Sequence, residues 1–160
     1  MIERLEIGGY VVEYDREATA AAYSCIVVSG PESCGCWYCR NWVAGRGRVV
    51  PAAVRDLLAR LGVPLVGEIE VWEVPDEEHP HLYGGWYMVI GRLVSRPPEE
   101  AREFTMAGWR MSWSSGPSYE VSQFAGEEVC ELHFLLPVGD FIAPEVAPAE
   151  RGAAPDRGGI

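Results

Sequence analysis

Lysine is missing from this 160-residue chain, and histidine occurs only three times. The 13 basic side chains are therefore all arginines, set against 24 carboxylates for a net charge of −11. The absence of lysine fits a GC-rich genome and carries no chemistry of its own. The acid excess opposes general attraction to nucleic acid or to an anionic membrane surface. Nowhere does the chain approach the roughly 18 apolar residues of a membrane helix. Glu3, Arg4 and Glu6 stand where a signal peptide would carry its apolar core. Both absences lead to the expectation of a cytoplasmic protein, with no membrane contact and with thiols kept reduced. The nucleotide-binding glycine loops, the H-E-x-x-H helix and the G-x-S-x-G elbow are missing too. The cysteines number five, so they cannot all pair internally as disulfides.

What is present is a foldable chain, 48% hydrophobic and 11% aromatic. The expected organisation is one globular domain over residues 1–143, with the Pro-, Gly- and Ala-containing stretch 144–160 as a disordered tail. "RLEIGGYVVEYD" predicts a β-hairpin turning at Gly8-Gly9. Arg16–Ala22 suits a helical turn, and "AYSCIVVSG" predicts a strand ending at Gly30-Pro31. Val54, Leu57, Leu58 and Leu61 form the stripe of a helix, with Pro51 in its first turn and Gly62 just past its end. "EIEVWEV" and "GWYMVIGRLV" predict strands, the second apolar on both faces as in a central strand. In "WRMSWSS", Trp109, Met111 and Trp113 share one face, and Gly108 ahead of them suits a bulge. "EEVCELHFLL" predicts the last strand, with Cys130, Leu132, Phe134 and Leu136 on one face. Together these elements predict an α+β fold: a mainly antiparallel sheet of about six strands, one main helix and a cysteine-bearing loop.

That loop is "SGPESCGCWYCRNW", in which Cys34, Cys36 and Cys39 fall within six residues. Thiolates at C-x-C and C-x-x-C spacing can converge on one tetrahedral ion, and zinc is the metal they suit. Gly35 leaves the backbone free to bend between the first two. A closed structural site needs a fourth ligand, for which His79, His81, Cys25, Cys130 and His133 are the candidates. His81 is favoured, because it adjoins the more structured "LYGGW". An iron–sulfur cluster fits less well, since no fourth cysteine stands at the usual spacing. The rival reading is a thiol oxidoreductase or cysteine nucleophile using Cys36 and Cys39, with Arg40 next door. A thioredoxin-like version needs a long helix starting at the motif, and Gly45 and Gly47 are expected to break one.

Two further features invite a function. Arg40, Arg46, Arg48, Arg55 and Arg60 face the single Asp56, so RNA or an acidic partner is a second alternative; a solvated helix face explains the same charges. "HLYGGWYMVIG" sets Tyr83, Trp86 and Tyr87 around Gly84-Gly85, which suits either a pocket for a planar ligand or a bulged strand with its aromatics in the core.

Four segments, "SGPESCGCWYCRNW", "LLARLGV", "HLYGGWYMVIGRL" and "ELHFLLPV", together resemble a set of small bacterial proteins. Those proteins carry a CGC-x-YC-x-N motif, a following helix, an HLYGG segment and a late hydrophobic strand. The matching positions are Cys34, Gly35, Cys36, Tyr38, Cys39 and Asn41, with His81, Leu82, Tyr83, Gly84 and Gly85. The resemblance brings no established activity, but it places His81 and the cysteines in one pattern. The leading expectation is thus a zinc-binding domain using Cys34, Cys36, Cys39 and His81, acting as a module for a protein or small-molecule partner.

Overall fold

The computed structural model of the chain describes residues 1–79 and 81–143, so the expected tail at 144–160 lies outside the described residues. Among the described residues the fold is α+β: one antiparallel sheet of seven strands, with four α-helices. None of these helices is long and apolar enough to cross a membrane.

Strands β1 (Ile2–Ile7) and β2 (Tyr10–Asp15) form the predicted hairpin, with Gly8 and Gly9 both at positive φ. Helix α1 (Arg16–Ser24) follows at once, because Asp15 caps it by accepting the Ala18 N–H. The predicted strand at Ala22–Gly30 does not form. The helix runs on to Ser24, Cys25 is its C-cap, and Val27 is left 95% exposed without a strand partner. Helices α2 (Gly30–Cys34) and α3 (Trp37–Val49) then replace the expected loop. Gly45 and Gly47 do not break α3, although each costs helix stability. Phe141 packs directly on Gly45, where a Cβ would collide with its ring, so a tertiary contact outweighs the propensity. Helix α4 (Ala52–Leu61) is the one predicted, buried along Val54, Leu57, Leu58 and Leu61 and closed by Gly62 at φ 81°. Pro51 sits at its N-cap rather than inside the first turn.

The sheet is centred on β4 (Leu82–Ser95), whose first nine residues are buried, as the two-sided apolar pattern requires. Along one edge it pairs with β3 (Glu70–Val74) and then with β2. Between those partners, α1 takes over the edge: the Met88 N–H donates to Tyr23 Oη and the Ile90 N–H to Thr19 Oγ1. Along its other edge β4 pairs over nine residues with β7 (Val129–Pro137). Beyond β7 lie β6 (Trp109–Ser115) and β5 (Phe104–Met106). Gly108 is no bulge. Ala107 and Gly108, at φ 48° and 86°, make a two-residue hairpin turn between Met106 and Trp109.

The register collects Tyr83, Tyr87, Cys130, Leu132, Phe134, Leu136, Trp109, Met111 and Trp113 in the main core. Trp42 of α3 enters it, stacked on Phe134 at 5.3 Å between ring centroids. Gly84 and Gly85 lie close against neighbouring strands. A Cβ on Gly84 would lie 2.8 Å from Trp72 Cε2, and one on Gly85 2.8 Å from the Glu70 carbonyl, so each glycine makes room for a neighbouring strand.

Candidate metal centre

The three clustered cysteines sit where α2 hands over to α3. Cys34 is the last residue of α2, Gly35 turns the chain at φ 71°, and Cys36 is the N-cap of α3. The Cys36 sulfur accepts the Cys39 N–H at 3.4 Å, the role a serine or aspartate oxygen usually plays at a helix start. Cys39 falls on the first turn, buried, its sulfur 3.9 Å from the Val71 carbonyl of β3. The three sulfurs all lie within 4.8 Å of one another. Cys34 and Cys36 are exposed, so one side of the triangle is buried and the other faces solvent.

The environment treats the thiols differently. Hydrogen bonding from the Cys36 backbone N–H, and then from the neighbouring thiols, holds the Cys34 thiol below its ordinary value. Burial pushes the Cys39 thiol up, and the two neighbouring sulfurs add to that shift. The positive end of the 13-residue α3 opposes the charge that accumulates when several thiolates share so small a volume. Arg40 Nη1 donates to the Gly35 carbonyl at 2.9 Å, bracing the turn that sets the sulfur positions.

Two buried polar assemblies hold the handover in place. Asn41, fully buried, donates through Nδ2 to Tyr83 Oη and to the Gly139 carbonyl, at 3.2 and 3.0 Å. Its Oδ1 accepts the N–H groups of Phe141 and Ile142, and Tyr83 Oη in turn donates to the Tyr38 carbonyl. The CGC-x-YC-x-N and HLYGG segments therefore meet through Asn41 and Tyr83. Behind them, Arg46 bonds Glu32 of α2, Ser29 at the start of α2, and Glu68 just before β3. Glu68 also accepts the Trp42 indole N–H at 3.0 Å. The sequence signs of these clasps are the membership of Asn41 and Tyr83 in the two motifs and the Ser29-x-x-Glu32 capping box at the start of α2; nothing local marked Arg46 or Glu68 as their partners.

The candidate fourth ligands are dispersed. His81 packs against Trp37, with ring centroids 5.2 Å apart, and its Nε2 lies 2.8 Å from Asp140 Oδ1. It is not a member of the sulfur group. His79 is bound to Asp76, and His133 contacts Glu131 and Ser114 on the far side of the sheet. Cys130 is a core residue on the Val89 carbonyl, as its strand position predicted, and Cys25 caps α1. The arginines of 40–60 take individual partners. Arg46 is buried, Arg55 binds the carbonyls of Val50 and Gly47, Arg60 binds Tyr14 Oη and the Arg4 carbonyl, and Arg48 lies over Phe141.

Fold and site together define an α+β domain with a three-cysteine group at a helix junction, a group that could hold a metal ion. No protein-family model, curated protein or solved structure matches the chain.

Proposed function

We propose that Cys34, Cys36 and Cys39 hold one zinc ion, and that this centre makes the domain a binding module for a protein or small-molecule partner. The carrying observation is the sulfur triangle within 4.8 Å. Tetrahedral zinc with Zn–S bonds of about 2.3 Å needs sulfurs about 3.8 Å apart, which small side-chain rotations from this arrangement supply. When bound, the ion would tie the end of α2 to the start of α3. The proposal includes a reducing, cytoplasmic setting, in which the thiols stay available. It extends to kinship with the small bacterial proteins that the motifs resemble, supported by the Asn41–Tyr83 bond joining the two motif segments. Metal analysis of chain purified without oxygen tests it: close to one equivalent of zinc is expected, and less than about 0.2 equivalents of any transition metal overturns it.

One observation favours a second reading, a thiol oxidoreductase. Helix α3 is unbroken, so Cys36 and Cys39 occupy the N-cap and first turn of a 13-residue helix, a setting that activates a dithiol. The two separate cleanly. Chelators empty a metal centre and leave a dithiol unaffected. A Cys36–Cys39 dithiol would instead reduce a disulfide substrate at a rate that Cys36→Ser abolishes.

A further inference from the structure

Resting on the metal reading above, we infer that the ion carries an exchangeable fourth ligand supplied from outside the folded domain, and that a neutral nitrogen donor such as imidazole is the class it takes. Zinc held by three protein ligands completes its shell with water or an incoming group, whereas a closed structural site supplies all four itself. Among the described residues, the metal-ligating group consists of the three sulfurs alone. Of the other candidate donors, His79 is held by Asp76, His133 by Glu131, Cys130 by the Val89 carbonyl and Cys25 by the Ala21 carbonyl. His81 pairs Nε2 with Asp140, and its buried Nδ1 has no partner among the described residues but lies outside the sulfur group, which is why His81→Ala belongs in the test. Accessibility points the same way. Cys39 backs onto β3, while Cys34 and Cys36 are exposed, so a fourth donor approaches from solvent.

Charge selects among incoming donors. Zn²⁺ with three thiolates is already a monoanion, and the chain as a whole carries −11. A fourth anionic ligand would make the centre a dianion on a chain of net charge −11, a charge only partly offset by the α3 N-terminus and Arg40, whereas imidazole adds none. Imidazole is also a strong zinc donor in mixed sulfur–nitrogen sites. A histidine of a partner, or of a second copy of the chain, and a free small-molecule imidazole share this chemistry.

Cobalt(II) provides the readout, because its visible bands report both coordination number and donor type. The full-length reduced chain is loaded with Co(II) and titrated with imidazole, azide and 2-mercaptoethanol, alongside His81→Ala. The expected result is one equivalent bound, with a saturable spectral change on adding imidazole and at least a tenfold weaker response to azide and thiol. His81→Ala should retain the cobalt spectrum and its imidazole response. Dilution of the loaded chain separates the sources: bands that change with protein concentration assign the donor to a second copy, and constant bands to solvent or small molecules. A four-coordinate spectrum indifferent to every added ligand, or one altered by His81→Ala, overturns the inference and leaves the metal reading standing. A stronger response to azide or thiol overturns the preference for a neutral donor. Failure to bind cobalt stoichiometrically overturns both readings.

Discussion

The side chain of Asn41 makes four hydrogen bonds while fully buried, and they reach two segments far away in sequence. It keeps Tyr83 of β4 and the 139–142 stretch on α3, next to the cysteines on the preceding turn. Truncation would leave the N–H groups of Phe141 and Ile142 and the Gly139 carbonyl short of a partner. Asn41→Ala is therefore expected to cost about 2–4 kcal/mol, read from the denaturation midpoint, while Tyr83→Phe costs about 1 kcal/mol. Asn41→Asp should not rescue the loss, because it removes both donors and buries a charge. Equal stability of wild type and Asn41→Ala would show that the clasp is incidental. The cysteines behave differently: substituting Cys34 or Cys36, both exposed, is expected to remove a proposed ligand at little cost to the core.

Helices α2 and α3 are joined by Arg46, whose guanidinium bridges Glu32 and Glu68. The two carboxylates respond to this shared cation in opposite senses. At Glu68, side chain fully buried, desolvation outweighs Arg46 and raises the carboxyl pKa. At Glu32, the Ser29 N–H and Arg46 lower it. The signs follow from linkage. A raised folded pKa means the native state binds the proton more tightly, so Glu68 loses stability for the protein as pH rises from about 4.3 through its folded value. A lowered one means that Glu32 contributes stability above about pH 4.3, which is lost as pH falls through its folded value. Denaturation midpoints measured from about pH 3 to 7 should show Glu68→Gln removing a decline with rising pH and Glu32→Gln removing a decline with falling pH. The same sign for both variants would contradict the network as described. Arg46→Met should loosen α2 against α3 and weaken metal binding, although Arg46 touches no sulfur.

Across the whole molecule, the core does not depend on the cysteine junction. Trp42, Trp109 and Phe134 pack at 4.9–6.2 Å between centroids, and β4 is paired along both edges whatever the state of the sulfurs. Chelation is thus expected to leave the sheet folded while amides of residues 30–41 exchange faster, with a fall of a few degrees in melting temperature. Hydrogen exchange with and without chelator checks this; uniform loss of protection across β4 and β7 would contradict it. Within the core, Gly85→Ala should cost about 1–3 kcal/mol, because Phe134 and the Glu70 carbonyl already occupy the space.

Much of this organisation is legible without coordinates. Alternation and glycine turns specify the β1–β2 hairpin and strands β3, β6 and β7, an apolar run on both faces specifies β4, and a four-residue apolar stripe specifies α4. Those signals are local, carried by side chains that neighbour one another along the chain. Cys34, Cys36 and Cys39 belong with them, since residues two and three apart have few ways to avoid one another. The tertiary structure decided the rest. Helix α3 continues through Gly45 because Phe141, ninety-six positions later, fits against it. The apolar run after Tyr23 does not become a strand, because Asp15 starts a helix and β4 is bonded instead by Thr19 and Tyr23. His81 is drawn to Trp37 and Asp140, which no spacing rule could foresee. The sequence by itself determined that three thiols converge; only long-range packing and buried polar pairing decided what else stands beside them, because those energies come from partners that adjacency in sequence does not encode.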